Sequence, residues 1–223
     1  MRRRHGLSVG VALVALLSTT TSAQNPDKER VVAGAGRVFD ALTKAYVAPG
    51  HGTPVTIRHL LNHTAGVRDW GTVMSLTGAG RGDRVITQAL ALDVITHQRG
   101  LDFTPGSEHS YTNSGYNLAA TIVERVSKQT FADFSADRLF KPLGMNDSAV
   151  RDDHRRIVPR RAQAYSRQGT GPWRLDMPFM NVYGNGGILT TVGDWIKWNA
   201  MLDSRSMGAA LPGRFVLETG LTR

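Results

Sequence analysis

Apolar positions repeat at helical spacing in several stretches of the chain, separated by glycine and proline. Val38, Ala41, Leu42 and Ala45 recur at i, i+3, i+4 and i+7, which predicts a helix within 31–47 that Pro49-Gly50 ends. Thr56 stands where a cap would precede Ile57, Leu60 and Leu61, with Gly66 suited to the exit of that short helix. Gly71 to Asp83 is rich in glycine and predicts a loop, and a helix is predicted from Val85 to His97. After the Pro105-Gly106 turn, Asn113 or Ser114 can cap a helix whose buried stripe is Tyr116, Ala119, Ile122, Val123 and Val126. Thr130 with Asp133 three residues on resembles a capping box ahead of Phe131, Phe134 and Leu139, and Gly144 ends that element. Gly186 to Thr190 predicts a short strand or turn, and Thr191 with Asp194 repeats the cap pattern before Trp195, Trp198, Met201 and Leu202.

The first residues follow a different pattern. Arg2, Arg3 and Arg4 are basic, Leu7 to Leu17 is apolar, and Thr21-Ser22-Ala23 is small, the order of a secretory signal peptide over 1–23. This predicts a secreted or periplasmic protein, with an N-terminal helical segment at 24–50 and a domain at 51–223. The chain of 223 residues has no cysteine, which excludes disulfides, thiolate metal sites and a cysteine nucleophile. The net charge of +9 includes the three arginines near the start. A further basic run, Arg151, Arg155, Arg156, Arg160 and Arg161, is interleaved with Asp152 and Asp153, as in a solvated surface rather than a nucleic-acid groove.

Candidate chemistry centres on Tyr111 and Asn113. A phenol can accept a proton from a nucleophile when neighbouring cations favour its ionised form, and an asparagine amide can both donate to and accept from a substrate amide. The Tyr-x-Asn tripeptide alone carries little information. Its context carries more. "TPVTIRHLLNHTAGVRDW", "FTPGSEHSYTNSGYNLAATIVERVSKQTF", "LFKPLGMNDS" and "GNGGILTTVGDWIKWNAML" follow one another in order. Together they resemble the serine beta-lactamase and penicillin-binding-protein superfamily, in particular its class C beta-lactamase, esterase and D-alanyl-D-alanine carboxypeptidase branch.

The resemblance implies an α+β fold of the beta-lactamase/transpeptidase type, with the site between a helical region and a mostly antiparallel sheet. It implies acyl transfer from a beta-lactam, ester or peptidoglycan peptide to a serine on a Ser-x-x-Lys helix, with Tyr111 and Asn113 as the tyrosine and asparagine of the site. No cofactor, metal or nucleic acid is implied.

Two parts of that pattern are missing. The lysines are Lys28, Lys44, Lys128, Lys141 and Lys197, and the residues three places before them are Asn25, Ala41, Arg125, Arg138 and Asp194, none a serine or threonine. Neither Lys-Thr-Gly nor its His-x-Gly variant occurs. "GRVFDALTKAYVAPG" resembles the family's N-terminal helix and runs directly into "HGTPVTIRHLL", so the first strands and the nucleophile helix are expected to be deleted near Gly50 to Gly52; "LPGRFVLETGLTR" is expected to stop short of the last strands. The expected product is an incomplete, mainly helical version of the fold without hydrolase activity. Its apolar faces at Val38 to Ala45 and Trp195 to Leu202 are predicted to lack part of their partner, which favours self-association.

Other readings remain open from sequence. Ser107, Ser110 and Ser114 surround Tyr111 as substitute nucleophiles, though none lies in Gly-x-Ser-x-Gly. His59 and His63 have a zinc-compatible spacing without the glutamate of His-Glu-x-x-His. A non-catalytic protein that binds the cell envelope through its basic run, or the product of a pseudogene, would account for the same sequence.

Overall fold

In the computed structural model, which describes residues 54–78 and 84–204, Thr56 caps helix α1 (Ile57–Leu61) as its sequence predicts. Thr56 Oγ1 accepts from the His59 backbone N–H and His59 Nδ1 accepts from that of Thr56, so a histidine takes the place usually filled by glutamate in a capping box. The helix ends at Asn62, earlier than the predicted exit at Gly66. Gly66 instead takes a φ of +72° where its backbone lies against the carbonyl of Phe103. That close approach leaves no room for a Cβ, which is why glycine stands there.

The predicted loop from Gly71 is helical in its first part. Asp69 caps α2 (Trp70–Ser75) by accepting from the Thr72 N–H, and Trp70 and Met74, four apart, are buried on one side. The helix predicted from Val85 begins later: Ile86–Thr87 form strand β1, and Thr87 caps α3 (Gln88–Thr96).

Helix α4 (Ser114–Ser127) is the centre of the molecule. Every residue from Ser114 to Val123 is buried, not only the predicted stripe. A helix enclosed on all sides needs small or internally bonded residues facing its neighbours. Gly115 meets the backbone of Leu60, and Asn117 donates through Nδ2 to the Tyr183 carbonyl at 2.7 Å and to Asn185 Oδ1 at 2.9 Å. On one side of α4, Leu118 and Ile122 pack with Leu60, Trp70, Ile86 and Ile95. On the other, Ala120 and Val123 pack with Phe131, Phe134, Leu139 and Trp198. A fully buried side chain of this size contributes about 1.5–3 kcal/mol.

Thr130 caps α5 (Phe131–Ser135), which continues as a π-helical turn, Ala136–Phe140. Short strand pairs follow. β2 (Ala149–Val150) runs antiparallel to β6 (Ile188–Leu189), β3 (Tyr165–Ser166) antiparallel to β4 (Arg174–Leu175), and β1 parallel to β5 (Met180–Asn181). The last described helix, α6 (Val192–Ser204), begins with the predicted bond of the Asp194 N–H to Thr191 Oγ1.

The face from Trp195 to Leu202 is not left without a partner. Trp198 and Met201 are buried, and Trp195 and Leu202 pack against the cluster of Phe131, Phe134, Leu139 and Val150. The exposed apolar side chains of α6 are Val192 and Ile196 on its other side. The predicted signal peptide, the helix around Val38 to Ala45 and the C-terminal stretch from residue 205 lie outside the described residues.

Candidate active site

Two backbone segments, 62–70 and 102–114, lie side by side and carry the site. The Asp102 N–H donates to the Gly66 carbonyl, the Gly106 N–H to that of Thr64, and the Ser110 N–H to that of His63. Ser114 joins their ends: its buried Oγ donates to the Arg68 carbonyl at 2.6 Å and accepts from the Trp70 N–H at 2.9 Å.

Tyr111 stands at the surface with two thirds of its area exposed. Its ring rests on that of His63, centroids 4.6 Å apart, and its hydroxyl donates to Asn113 Oδ1 at 3.2 Å. The two predicted site residues are thus brought together. Asn113 was a predicted helix cap, and here the structure differs. It occupies the cap position of α4 in a helical conformation and makes no capping bond with its side chain. That side chain is taken by Asp69: the backbone N–H and Nδ2 of Asn113 donate to Asp69 Oδ2 at 2.6 and 2.7 Å.

His63 is a support for the tyrosine. It adopts a φ of +59°, and its Nδ1 accepts from the Thr112 N–H at 3.3 Å, which places the ring proton on Nε2. Burial, with the nearby His109 ring, holds its pKa below the ordinary histidine range. His59 is likewise held low by burial, with Nδ1 committed to its capping box. Both histidines therefore have local structural partners, and no group of three metal-ligating side chains occurs among the described residues.

Of the three serines around Tyr111, the Ser107 and Ser114 hydroxyls are tied into the frame, while Ser110 is exposed and joins it through its backbone N–H. Ser114 Oγ has both a donor and an acceptor partner within the protein, and Ser107 Oγ donates to the Thr104 carbonyl at 2.8 Å. Neither is poised against a base. A cavity of about 300 Å³ is lined by Gln88, Glu124, Phe131, Asp152 and Tyr183 among others, and includes neither Tyr111 nor Asn113. Within it the Tyr183 hydroxyl donates to Glu124 Oε1 at 2.9 Å, and burial followed by that carboxylate pushes the phenol far above its usual range. This tyrosine stays protonated and holds α4 to the segment before β6.

Three arginines of the basic run are paired with carboxylates at the surface. Arg155 meets Asp153 at 3.1 Å, Arg156 meets Asp152 at 2.6 Å and Arg160 meets Asp147 at 3.1 Å, all with well-exposed guanidinium groups. Exposed pairs of this kind contribute roughly 0–1 kcal/mol each.

Comparison with known proteins places this geometry in a family. The beta-lactamase family model matches residues 29–219. The chain belongs to the beta-lactamase family. Among curated relatives, penicillin-binding protein 4* of Bacillus subtilis (strain 168) is 37% identical over 114 residues, 50% of this chain and 24% of that protein. A D-aminopeptidase of Brucella anthropi is 25% identical over 177 residues, 77% of this chain and 32% of that protein. The chain therefore matches about a quarter to a third of the length of these relatives.

Among solved structures, a D-stereospecific amidohydrolase from Streptomyces sp. superposes with a TM-score of 0.66 at 20% identity, over 93% of this chain and 61% of the other. The D-amino acid amidase from Ochrobactrum anthropi SV3 gives 0.64 at 21% identity, over 94% and 56%. These likenesses establish the beta-lactamase/transpeptidase-like α+β fold, present here with helices and few strands. Asp69 and His63 are the members of the site that the motif alone does not point to. Asp69 immediately before the apolar Trp70 was the available sign of the first, because aspartate is a favoured residue just ahead of a helix.

Proposed function

We propose that this beta-lactamase-family chain recognises a small amide, its carbonyl through Asn113 Nδ2 and its N–H through the Tyr111 oxygen, and does not form an acyl-enzyme. The observation that carries the reading is the arrangement of the two side chains. The Tyr111 hydroxyl gives its proton to Asn113 Oδ1, and Asn113 Nδ2 gives one hydrogen to Asp69, which leaves one N–H and the phenol lone pairs for a ligand.

Acylation needs more than this pair can supply. A phenol that donates to an amide oxygen is in its protonated form, and no Ser-x-x-Lys in the sequence provides a nucleophile or an ammonium partner. The names of the relatives point to amides of D-amino acids as the ligand class to try first.

Titration of the purified protein with D-phenylalanine amide, followed by calorimetry or by amide shifts, tests the reading. Saturable binding is expected, weakened about tenfold in Asn113→Ala, as for the loss of one hydrogen bond. Equal binding by Asn113→Ala and the parent would contradict it. So would steady release of ammonia from the amide that Tyr111→Phe reduces.

A further inference from the structure

Asp69 lies outside the Tyr-x-Asn motif and accepts four hydrogen bonds. Its Oδ1 receives the Thr72 N–H at 2.8 Å and the Thr72 hydroxyl at 3.3 Å, while its Oδ2 receives the backbone N–H and the Nδ2 of Asn113. A carboxylate only accepts, so the end of the Asn113 amide that faces it has to be the NH₂. The carbonyl end is then turned to Tyr111, which is where the phenol donates.

We propose that Asp69 is the positioning residue of this site, setting the Asn113 amide so that it presents a donor, and not an acceptor, to a bound carbonyl. The inference deepens the recognition role proposed above and rests on it for the identity of the ligand group. Its physical content concerns the free protein. Without a pure acceptor behind it, the amide could turn over by half a rotation, put its oxygen toward Asp69 and its NH₂ toward Tyr111, and leave no acceptor for the phenol proton.

Asp69 can be tested apart from the frame around it. The backbone of residues 68–70 is fastened to α4 by Ser114 Oγ, through the Arg68 carbonyl and the Trp70 N–H, and these bonds do not involve the Asp69 carboxylate. Asp69→Asn keeps the shape and replaces one acceptor by a donor. Asp69→Ser keeps an oxygen for the Thr72 N–H, as a good helix cap does, and is too short to reach Asn113.

The experiment is a nitrogen–proton correlation spectrum of the full chain and of both variants, with the Asn113 side-chain pair identified by its loss in Asn113→Ala. In the parent protein one of the two Asn113 Nδ2 protons is expected well downfield of its twin, because it donates to a charged acceptor. In both variants that displacement is expected to disappear, while the backbone amides of α4 from Leu118 to Val123 keep their positions. A role confined to capping α2 would leave the Asn113 pair where it was, most clearly in Asp69→Ser, and that result would overturn the proposal. Because the spectrum is taken without ligand, a failure to bind D-phenylalanine amide counts against the recognition role alone.

Discussion

Gly184→Ala is expected to cost about 3–5 kcal/mol, a large loss of stability for the addition of a single methyl. Gly184 has a φ of +97°, and a Cβ there would meet the Tyr116 carbonyl oxygen and lie 2.8 Å from the Ala120 Cβ. Both neighbours belong to α4, which is enclosed along this stretch and cannot retreat. Against a total stability of roughly 5–15 kcal/mol, such a change removes a large share of what holds the fold. Urea titration of parent and variant measures it. A shift below about 1 kcal/mol would mean that the segment 183–187 is not clamped on α4 as described. Gly115→Ala supplies an internal check on the same helix. Alanine ordinarily stabilises a helix interior by about 1 kcal/mol relative to glycine. Here the added Cβ would lie 2.7 Å from the Leu60 carbonyl oxygen, so the sign is expected to reverse.

The second large effect concerns Asp194, whose side chain is only 2% exposed. Its Oδ2 accepts from the Asp147 N–H and the Ser148 hydroxyl, each at 2.8 Å, and its Oδ1 from Lys197 Nζ at 2.9 Å. Lys197 also donates to the Gly144 carbonyl. One carboxylate thereby ties the "LGMNDS" stretch to the start of α6. Removing it in Asp194→Ala takes the acceptor from the part-buried Asp147 N–H, leaves the Ser148 hydroxyl with Thr190 Oγ1 alone, and is expected to cost about 2–3 kcal/mol; Lys197 is half exposed and contributes less. Asp194→Asn keeps one acceptor and is expected to lose about half as much.

The pH dependence has a defined sign. Burial raises the Asp194 pKa, but the bonds from Lys197, Ser148 and Asp147 outweigh it and hold the carboxyl below its ordinary value of 3.8. A carboxyl depressed in the folded state stabilises the fold above that ordinary value, and the contribution is lost as pH falls through the folded pKa. The gap between parent and Asp194→Asn is therefore expected to be full at neutral pH and to narrow below about pH 3.8. Asp153, held low by Arg155, is present in both proteins and cancels in the comparison. A gap that does not change with pH would show that the carboxylate charge is not what holds the two segments.

Much of the architecture is written locally and could be read from sequence. Thr56, Thr130 and Thr191 cap the helices predicted for them because a cap is a bond within three residues of chain. The start of α2 escaped because Gly71 and the glycines that follow dominate the reading of that stretch, while Trp70 and Met74 become a buried pair only when packed beside Ile86 and Leu118. The enclosure of α4 is also invisible to periodicity. Ser114, Asn117 and Thr121 are buried polar residues whose partners are backbone and side-chain groups mostly distant in sequence.

The site divides in the same way. Tyr111 and Asn113 were legible as a motif, but their orientation depends on Asp69 and His63, which come from a segment more than forty residues earlier. The covered face of Trp195 to Leu202 teaches a related point. A missing sheet was expected to take away part of its partner, and among the described residues it packs with Phe131, Phe134, Leu139 and Val150, since an apolar stripe packs against whichever neighbour the chain supplies.

The most direct test of the proposed function is intact-mass spectrometry of the purified chain after prolonged incubation with a penicillin. The expected spectrum shows the unmodified protein alone, since a tyrosine bonded to an asparagine cannot by itself replace a nucleophilic serine and its lysine. A stoichiometric penicilloyl adduct, mapped to any residue and hydrolysed over time, would contradict it.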